Sequence, residues 1–363
     1  MTDTPVKSNV LFEDDKMSAL EAISQAQFIA FAPYVFQASV LLRDSGILGE
    51  VEQARKEGIT LDAVTEKVGL SRYAVRVLLE AGLGIKLVYC RDERYFLSKL
   101  GHFFLNHPMT RVNTDFMRDV CYDGAQDLDA SLKEGKPRGL RHLGDWDTIY
   151  QGLFKLPGKA GPSWYAFDHY YSDNAFPEAL PVVFEHQPRK LLDIGCNTGK
   201  WTLQCLEYNK DVQIGLVDLP GQLNLARQNV DDAGYADRVQ YHPQDILDPQ
   251  GQLPEGYDII WMSQFLDCFA DDEIVSILEK CHRALPDNGR VFVNETFWDR
   301  QRFEASAFSL QMTSLYFTTM ANGNSQMYDS RVFSGLIARA GFEIVRQTDG
   351  VGLSHTILEL KKR

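Results

Sequence analysis

From Ser18 to Ser45 apolar residues recur at helical spacing, at Leu20, Ile23, Phe28, Phe31, Val35, Val40 and Leu41, and predict helix there. Two shorter helical patterns follow, Leu61 to Val68 and Ser71 to Gly82. Gly69-Leu70 turns between them, and Ser71 is placed to cap the second. The runs LVYC and RYFLS, joined across Arg91-Asp92-Glu93, read as two strands with a tight connection. Helix, turn, helix and hairpin in this order form a winged-helix pattern. Residues 100–185 are rich in aromatics and read as helices that join two domains and wall a pocket. The Gly and Pro cluster Leu156 to Ser163 marks a loop inside that stretch.

From Lys190 the period changes. KLLDIG, VQIGLVD, RVQYHP, DIIWMS, RVFVNE, FEIVRQ and HTILELK read as strands. Helices lie among them, including GQLNLARQNVDDAG, closed by Gly234, and DDEIVSILEKCHRAL, whose acidic first turn suits its dipole. Apolar strands separated by helices predict an α/β domain with a mostly parallel sheet covered on both faces. The expected organisation is a mostly α-helical winged-helix domain over 1–105, beginning in a loose polar tail of residues 1–17, a helical linker and pocket wall over 106–185, and the α/β domain over 186–363.

Composition narrows the partners. A chain of 363 residues exceeds what one core organises, in line with two domains. The net charge of −13 argues against nucleic acid, since phosphate contacts need a basic surface. The second short helix is no exception: from Ser71 to Lys99 six basic residues face three acidic ones, and the helix itself carries Val75, Val77, Leu78 and Leu79, which suits packing better than groove reading. No run of 18 apolar residues is present, so neither a transmembrane helix nor a membrane partner is expected, and the polar N-terminus lacks the apolar core of a secretory signal. The six cysteines lie far apart, at 90, 121, 196, 205, 268 and 281, with no C-x-x-C pair. The expectation is a reduced, cytoplasmic protein with neither a disulfide scaffold nor a metal site.

The most specific signal is Asp193-Ile194-Gly195-Cys196-Asn197-Thr198-Gly199, a buried strand running through a glycine-containing turn into a helix. Ligands bind at such turns in open α/β sheets. A P-loop is excluded, because only three residues separate Gly195 from Gly199-Lys200 and Trp201 stands where a hydroxyl is needed. A dinucleotide fingerprint is excluded because Asn197 replaces its second glycine and the third is missing. The next strand ends at Asp218, 25 residues after Asp193, where an acid is placed to accept both hydroxyls of a ribose. Gln244-Asp245-Ile246-Leu247 follows the third strand. Each acid alone also suits a helix cap or a solvated loop. Together they stand in order at the ends of three successive strands.

This D-x-G-x-x-x-G form resembles motif I of class I S-adenosylmethionine (SAM)-dependent methyltransferases, with Asn197 in a usual glycine position. Asn tolerates left-handed backbone better than most residues. With the N-terminal winged-helix pattern, Asp218-Leu219-Pro220 and the C-terminal strands, the chain is similar to the small-molecule O-methyltransferase family of caffeate and hydroxyindole type, in its bacterial natural-product branch. The resemblance implies a Rossmann-like SAM-binding domain and a homodimer built by the N-terminal domain, which also contributes to the substrate pocket. It implies a cofactor site of Asp193, Gly195, Asn197, Gly199, Asp218, Leu219, Asp245, Ile246 and Ser263, with Asp218 on the ribose and Asp245 on the adenine amine. The acceptor implied is a small aromatic metabolite, phenolic and methylated on oxygen.

The segment Asp258 to Phe269 aligns onto the family segment that ends in Leu-His-Asp-Trp, and the family's general-base histidine falls at Asp267. Glu295 matches the acid that supports that histidine; a second supporting acid, expected near Gln326 to Tyr328, is missing. An ordinary Asp, with a pKa of about 3.9, is a poor base for a phenol of about 10, so Asp267 needs a pKa raised by burial or by Glu295. It also suits a cap on the helix beginning near Asp271 or a substrate contact. His169, among the aromatics just before the cofactor domain, is a second base candidate that equally suits a structural role, and His355 is a weaker one. Phe317, Met312, Met320 and Met327 are expected to extend the apolar acceptor wall. Two further functions stay open: C-methylation of an activated aromatic or enolic carbon, and a catalytically silent SAM-binding dimerisation partner.

Overall fold

The computed structural model describes residues 11–363, so the first ten residues of the expected tail lie outside it. Residues 12–115 form one compact unit and residues 116–363 another.

In the first unit, α1 (Ala19–Ala30) starts at a capping box, in which Ser18 Oγ accepts from the Glu21 amide and the Glu21 carboxylate accepts from the Ser18 amide. The single helical pattern expected over Ser18 to Ser45 is divided. A break at Phe31 (φ −102°, ψ 8°) separates α1 from α2 (Ala32–Asp44), and the two are bent by 73°. Pro33 falls in the first turn of α2, where a missing N–H is no loss, but in a continuous helix it would remove an interior bond. Then come α3 (Ile47–Gln53), β1 (Ile59–Thr60), α4 (Leu61–Val68), α5 (Arg72–Ile85), β2 (Val88–Arg91) and β3 (Arg94–Leu97). Ser71 caps α5 through its hydroxyl, and Gly69 takes φ +70° in the turn before it. The strands form a small antiparallel sheet in the order β1-β3-β2. Leu42, Ile47, Leu48, Val64, Val75 and Leu79 are buried at its core. The chain leaves this unit through α6 (Lys99–Asn106) and α7 (Pro108–Phe116).

The second unit opens with a π-helical turn (Met117–Cys121), α8 (Leu128–Glu134) and the 25-residue α9 (Ala160–Phe184). The loop expected over Leu156 to Ser163 is therefore shorter, since Gly161 and Pro162 lie in the first turn of α9, where proline is tolerated. There follow β4 (Lys190–Ile194), α10 (Lys200–Tyr208), β5 (Gln213–Asp218), α11 (Pro220–Asp232), β6 (Val239–Pro243), β7 (Ile259–Ser263), α12 (Asp271–Ala284), β8 (Arg290–Glu295), α13 (Glu304–Tyr316), α14 (Ser330–Arg339), β9 (Phe342–Val351) and β10 (His355–Lys362).

The sheet order is β6-β5-β4-β7-β8-β10-β9. The first five strands are parallel, and β10 runs antiparallel to both its neighbours. Strand pleating sorts consecutive apolar residues to opposite faces. Leu192, Ile260, Met262, Val291 and Val293 pack under α12 and α14, whereas Leu191, Ile259, Trp261 and Phe292 pack with α9 and α11. This is the Rossmann-like α/β domain expected from the sequence. A third cluster gathers Phe116, Leu140, Ile149, Trp164, Tyr316, Phe317 and Met320. It packs the aromatic segment before the sheet domain against α13. Because β4 lies between β5 and β7, the chain direction across the sheet reverses at the end of β4, which is where such folds bind ligands.

Candidate active site

A cavity of about 340 Å³ opens at the carboxyl ends of β4, β5 and β7, wholly within the second unit. At one end lies the turn after β4. Gly195, Asn197 and Gly199 all take left-handed backbone, at φ +76°, +48° and +78°, so Asn197 adopts the conformation that the sequence requires of it. A β-carbon on Gly195 would collide with the ring of Phe265. Asn197 is a junction: its amide donates to Asp218 Oδ2 (2.9 Å), its Nδ2 donates to Asp168 Oδ2 (2.8 Å), and its Oδ1 accepts from Gln222 Nε2 (3.0 Å).

Asp193 is buried and accepts from Thr202 Oγ1 at 2.7 Å; burial pushes its carboxyl up to about 7 despite that bond. Asp218 is pushed up to about 6 by burial, against the amides of Asn197 and Leu219 that donate to it. Asp245 accepts from the Leu247 amide, and the buried Lys280 ammonium of α12 fastens this loop by donating to the carbonyls of Ile246 and Asp248. Ser263 Oγ accepts from Asn294 Nδ2. Gln222 Oε1 and Gln244 Nε2 are buried in the cavity wall with no partner among the described residues. Beneath them Trp201 and Trp261 stack, with ring centres 4.1 Å apart. Carboxylates at three strand ends, orphaned amide groups and aromatic faces fit a cationic nucleoside such as SAM.

At the other end the wall is aromatic, with Phe116, Tyr150, Trp164, Phe167, Tyr316 and Phe317. Asp267 is 3% exposed and lines this end; burial pushes its carboxyl up to about 7, and Cys268 Sγ donates to it at 3.4 Å. Asp267 does not cap α12, where the Glu273 carboxylate instead accepts from the Ala270 amide. Glu295 does not line the cavity. It is buried behind the loop and its Oε1 accepts from the amides of Phe265 and Leu266 (3.0 and 2.8 Å); burial and nearby Asp267 hold its own carboxyl well above the usual range. Gly199 also stands behind the wall, at the start of α10, while the other cofactor-site residues expected from the sequence all line the cavity.

His169 faces the cavity between two partners, Asp173 Oδ1 and Thr198 Oγ1, each at 3.3 Å. His355 is fully buried, bonds through Nε2 to Gln264 Oε1 at 2.9 Å, and is pushed down to about 4 by burial. It anchors Gln264, which takes a left-handed φ of +46°. The expected wall is corrected at two positions. Met320 is buried in the third cluster and Met312 is 40% exposed, and only Phe317 and Met327 of that set line the cavity. Lining residues without a role at the sequence level include Gln222, Gln244 and Trp261, and Tyr150 enters there only as part of the aromatic stretch. Their elements meet only in the fold. Tyr150 Oη is buried with no hydrogen-bond partner among the described residues, and burial holds its phenol well above its usual range.

The Gly195 geometry carries a prediction. Gly195→Ala forces a side chain into the Phe265 ring at a positive φ, so it is expected to lower stability by about 1–3 kcal/mol. A denaturant titration checks this, and an unchanged midpoint would contradict it.

A Dimerisation2-like domain model matches residues 24–95 and an O-methyltransferase domain model matches residues 180–343. The L-tyrosine C(3)-methyltransferase of Streptomyces lavendulae is 24% identical over 291 residues, covering 79% of this chain and 78% of that protein. The 3-hydroxy-5-methyl-1-naphthoate 3-O-methyltransferase of Streptomyces sahachiroi is 27% identical over 252 residues, covering 68% of this chain and 71% of that protein. Among solved structures, the SAM-dependent methyltransferase SibL in its apo form superposes with a TM-score of 0.71 at 23% identity, over 94% of this chain and 99% of that one, a likeness of fold. The turn after β4, the sheet order and the two domain matches together identify an N-terminal Dimerisation2-like domain followed by a SAM-dependent O-methyltransferase domain.

Proposed function

We propose that the protein transfers a methyl group to the hydroxyl of a small aromatic acceptor and that Asp267 takes the proton released. The observation that carries this reading is the position of Asp267, a buried carboxyl of raised pKa facing an aromatic chamber in the same cavity as the Gly195–Gly199 turn. Asp193, Gly195, Asn197, Asp218, Leu219, Asp245, Ile246 and Ser263 would hold the cofactor, with Asp218 on the ribose hydroxyls, Asp245 on the adenine amine and Gly199 shaping the turn from behind. SAM, when bound, supplies a methyl group on a sulfonium, which leaves as a neutral thioether. The acceptor oxygen gains the methyl, and its proton passes to Asp267. The aromatic wall aligns the ring, the kind of positioning that is worth up to about 7–11 kcal/mol of a barrier. Glu295 acts through backbone: by holding the amides of Phe265 and Leu266 it fixes the loop that presents Asp267. His169, between Asp173 and Thr198, stands closer to the cofactor turn and orients it.

A second reading, methylation of a ring carbon, is favoured by two observations: the base position holds Asp rather than His, and the alignment with a relative named as a tyrosine C(3)-methyltransferase covers most of the chain. Turnover with SAM labelled in its methyl carbon separates the two. O-methylation gives a methoxy signal in the NMR spectrum of the product, and a ring-methyl signal would replace this reading by the second.

The first unit supports a homodimer. Its α1 and α2 expose Leu20, Ile23, Ile29, Phe31 and Tyr34, each more than half accessible, a patch larger than single surface residues explain. Light scattering is expected to give twice the chain mass of 41.2 kDa, and Ile23→Glu with Ile29→Glu is expected to give monomer. A monomeric wild type would overturn this part. No single helix among the described residues is long and apolar enough to cross a membrane, and all six cysteines are free; both suit a reduced cytoplasmic setting.

A further inference from the structure

Six acids line the cavity: Asp168, Asp193, Asp218, Asp245, Asp267 and Glu273. No arginine is among the described residues of its wall. The one lysine, Lys200, is committed, its Nζ lying 2.6 Å from Asp173 Oδ2. At the aromatic end the remaining polar groups are Thr148, Gln151, Thr313, Asn322 and Asn324, all uncharged, with Asn322 Nδ2 already donating to the Cys268 carbonyl. A carboxylate entering this chamber would lose its water, meet no arginine and no uncommitted lysine, find His169 already held between Asp173 and Thr198, and face Asp267. Buried anions without a partner are strongly disfavoured.

We infer that the acceptor carries no anionic group: the chamber takes neutral or amine-bearing hydroxyarenes and rejects aromatic carboxylates. This rests on the reading of the cavity as a methyl-transfer site and names the acceptor class within it. The selection works by omission as well as repulsion, since discrimination needs a penalty on the wrong partner. An acceptor ammonium would find a partner in Asp267, a neutral hydroxyl would find Tyr150 or the amides, and a carboxylate would find nothing.

The test uses the full chain loaded with S-adenosylhomocysteine, which keeps the cofactor end filled and stops chemistry. Calorimetry compares matched probes on phenol, catechol and naphthol cores, each bearing a two-carbon chain that ends in an amine, an alcohol or a carboxylate. For phenol these are tyramine, 4-(2-hydroxyethyl)phenol and 4-hydroxyphenylacetate. The alcohol and amine are expected to bind about tenfold or more tightly than the acid on every core that binds. Asp267→Asn, checked as folded by unchanged S-adenosylhomocysteine affinity, is expected to narrow that gap; if the variant does not fold, the wild-type comparison decides. An acid that binds as well as its alcohol, or a panel in which nothing binds, overturns the inference. A carboxylate methylated as fast as its alcohol removes the charge rule and leaves methyl transfer standing. Failure of S-adenosylhomocysteine itself to bind removes the underlying reading with it.

Discussion

Asp267→Asn is expected to lower kcat by about 10²–10⁴-fold while leaving SAM affinity within about threefold, because general-base assistance contributes on that scale and Asp267 is hydrogen-bonded to no residue of the Gly195–Gly199 turn among the described contacts. The substitution preserves shape in a fully buried position and removes only the capacity to accept a proton. Steady-state kinetics with any competent hydroxyarene, together with a SAM titration, separates the two effects. A variant that retains full kcat would assign the proton to water or to His169. A loss confined to KM would make Asp267 a contact for the acceptor rather than its base.

Asp218→Ala is expected to weaken SAM binding by about 100-fold or more. A carboxylate that accepts hydrogen bonds in a partly buried site contributes about 1.5–3 kcal/mol per bond, and two ribose hydroxyls are the proposed partners. The substitution also strips the amides of Asn197 and Leu219 of the acceptor they now share, loosening the turn that Asn197 organises. Burial holds Asp218 near 6, so wild-type affinity is expected to decline as pH falls through about 6, where the protonated carboxyl accepts less well. Calorimetry reads both effects. Equal affinity in wild type and variant would place the ribose elsewhere.

The cofactor half of the site was legible in the sequence because its groups lie at strand ends. The strand fixes the direction of Asp193, the next strand fixes Asp218, and the turn between strand and helix admits few residue types, so that Asn197 marks its own left-handed backbone. The acceptor half was legible only in part. Asp267 stands out as a residue where a histidine belongs, but its raised pKa comes from burial and then from Asp168, which lies far earlier in the chain. Trp164 and Tyr316, joined by a hydrogen bond of 2.7 Å, are separated by 152 residues. Periodicity places each on a helix and says nothing of their meeting. The same limit explains Met320, which shares helical spacing with wall residues but faces the core. His355 looked like a candidate base by residue type; only the fold reveals that it is sealed, neutral and tied to Gln264.

The central claim is that Asp267 receives the acceptor's proton, and the pH dependence of kcat/KM for a hydroxyarene tests it most directly. A carboxyl must be ionised to act as base, so activity should be low in acid and rise with pH. The predicted profile rises with a midpoint at about 7 or below, stays flat above it, and loses this step in Asp267→Asn. A profile that instead climbs toward about 10, the ionisation of the phenol itself, and does so alike in both enzymes, would contradict the account.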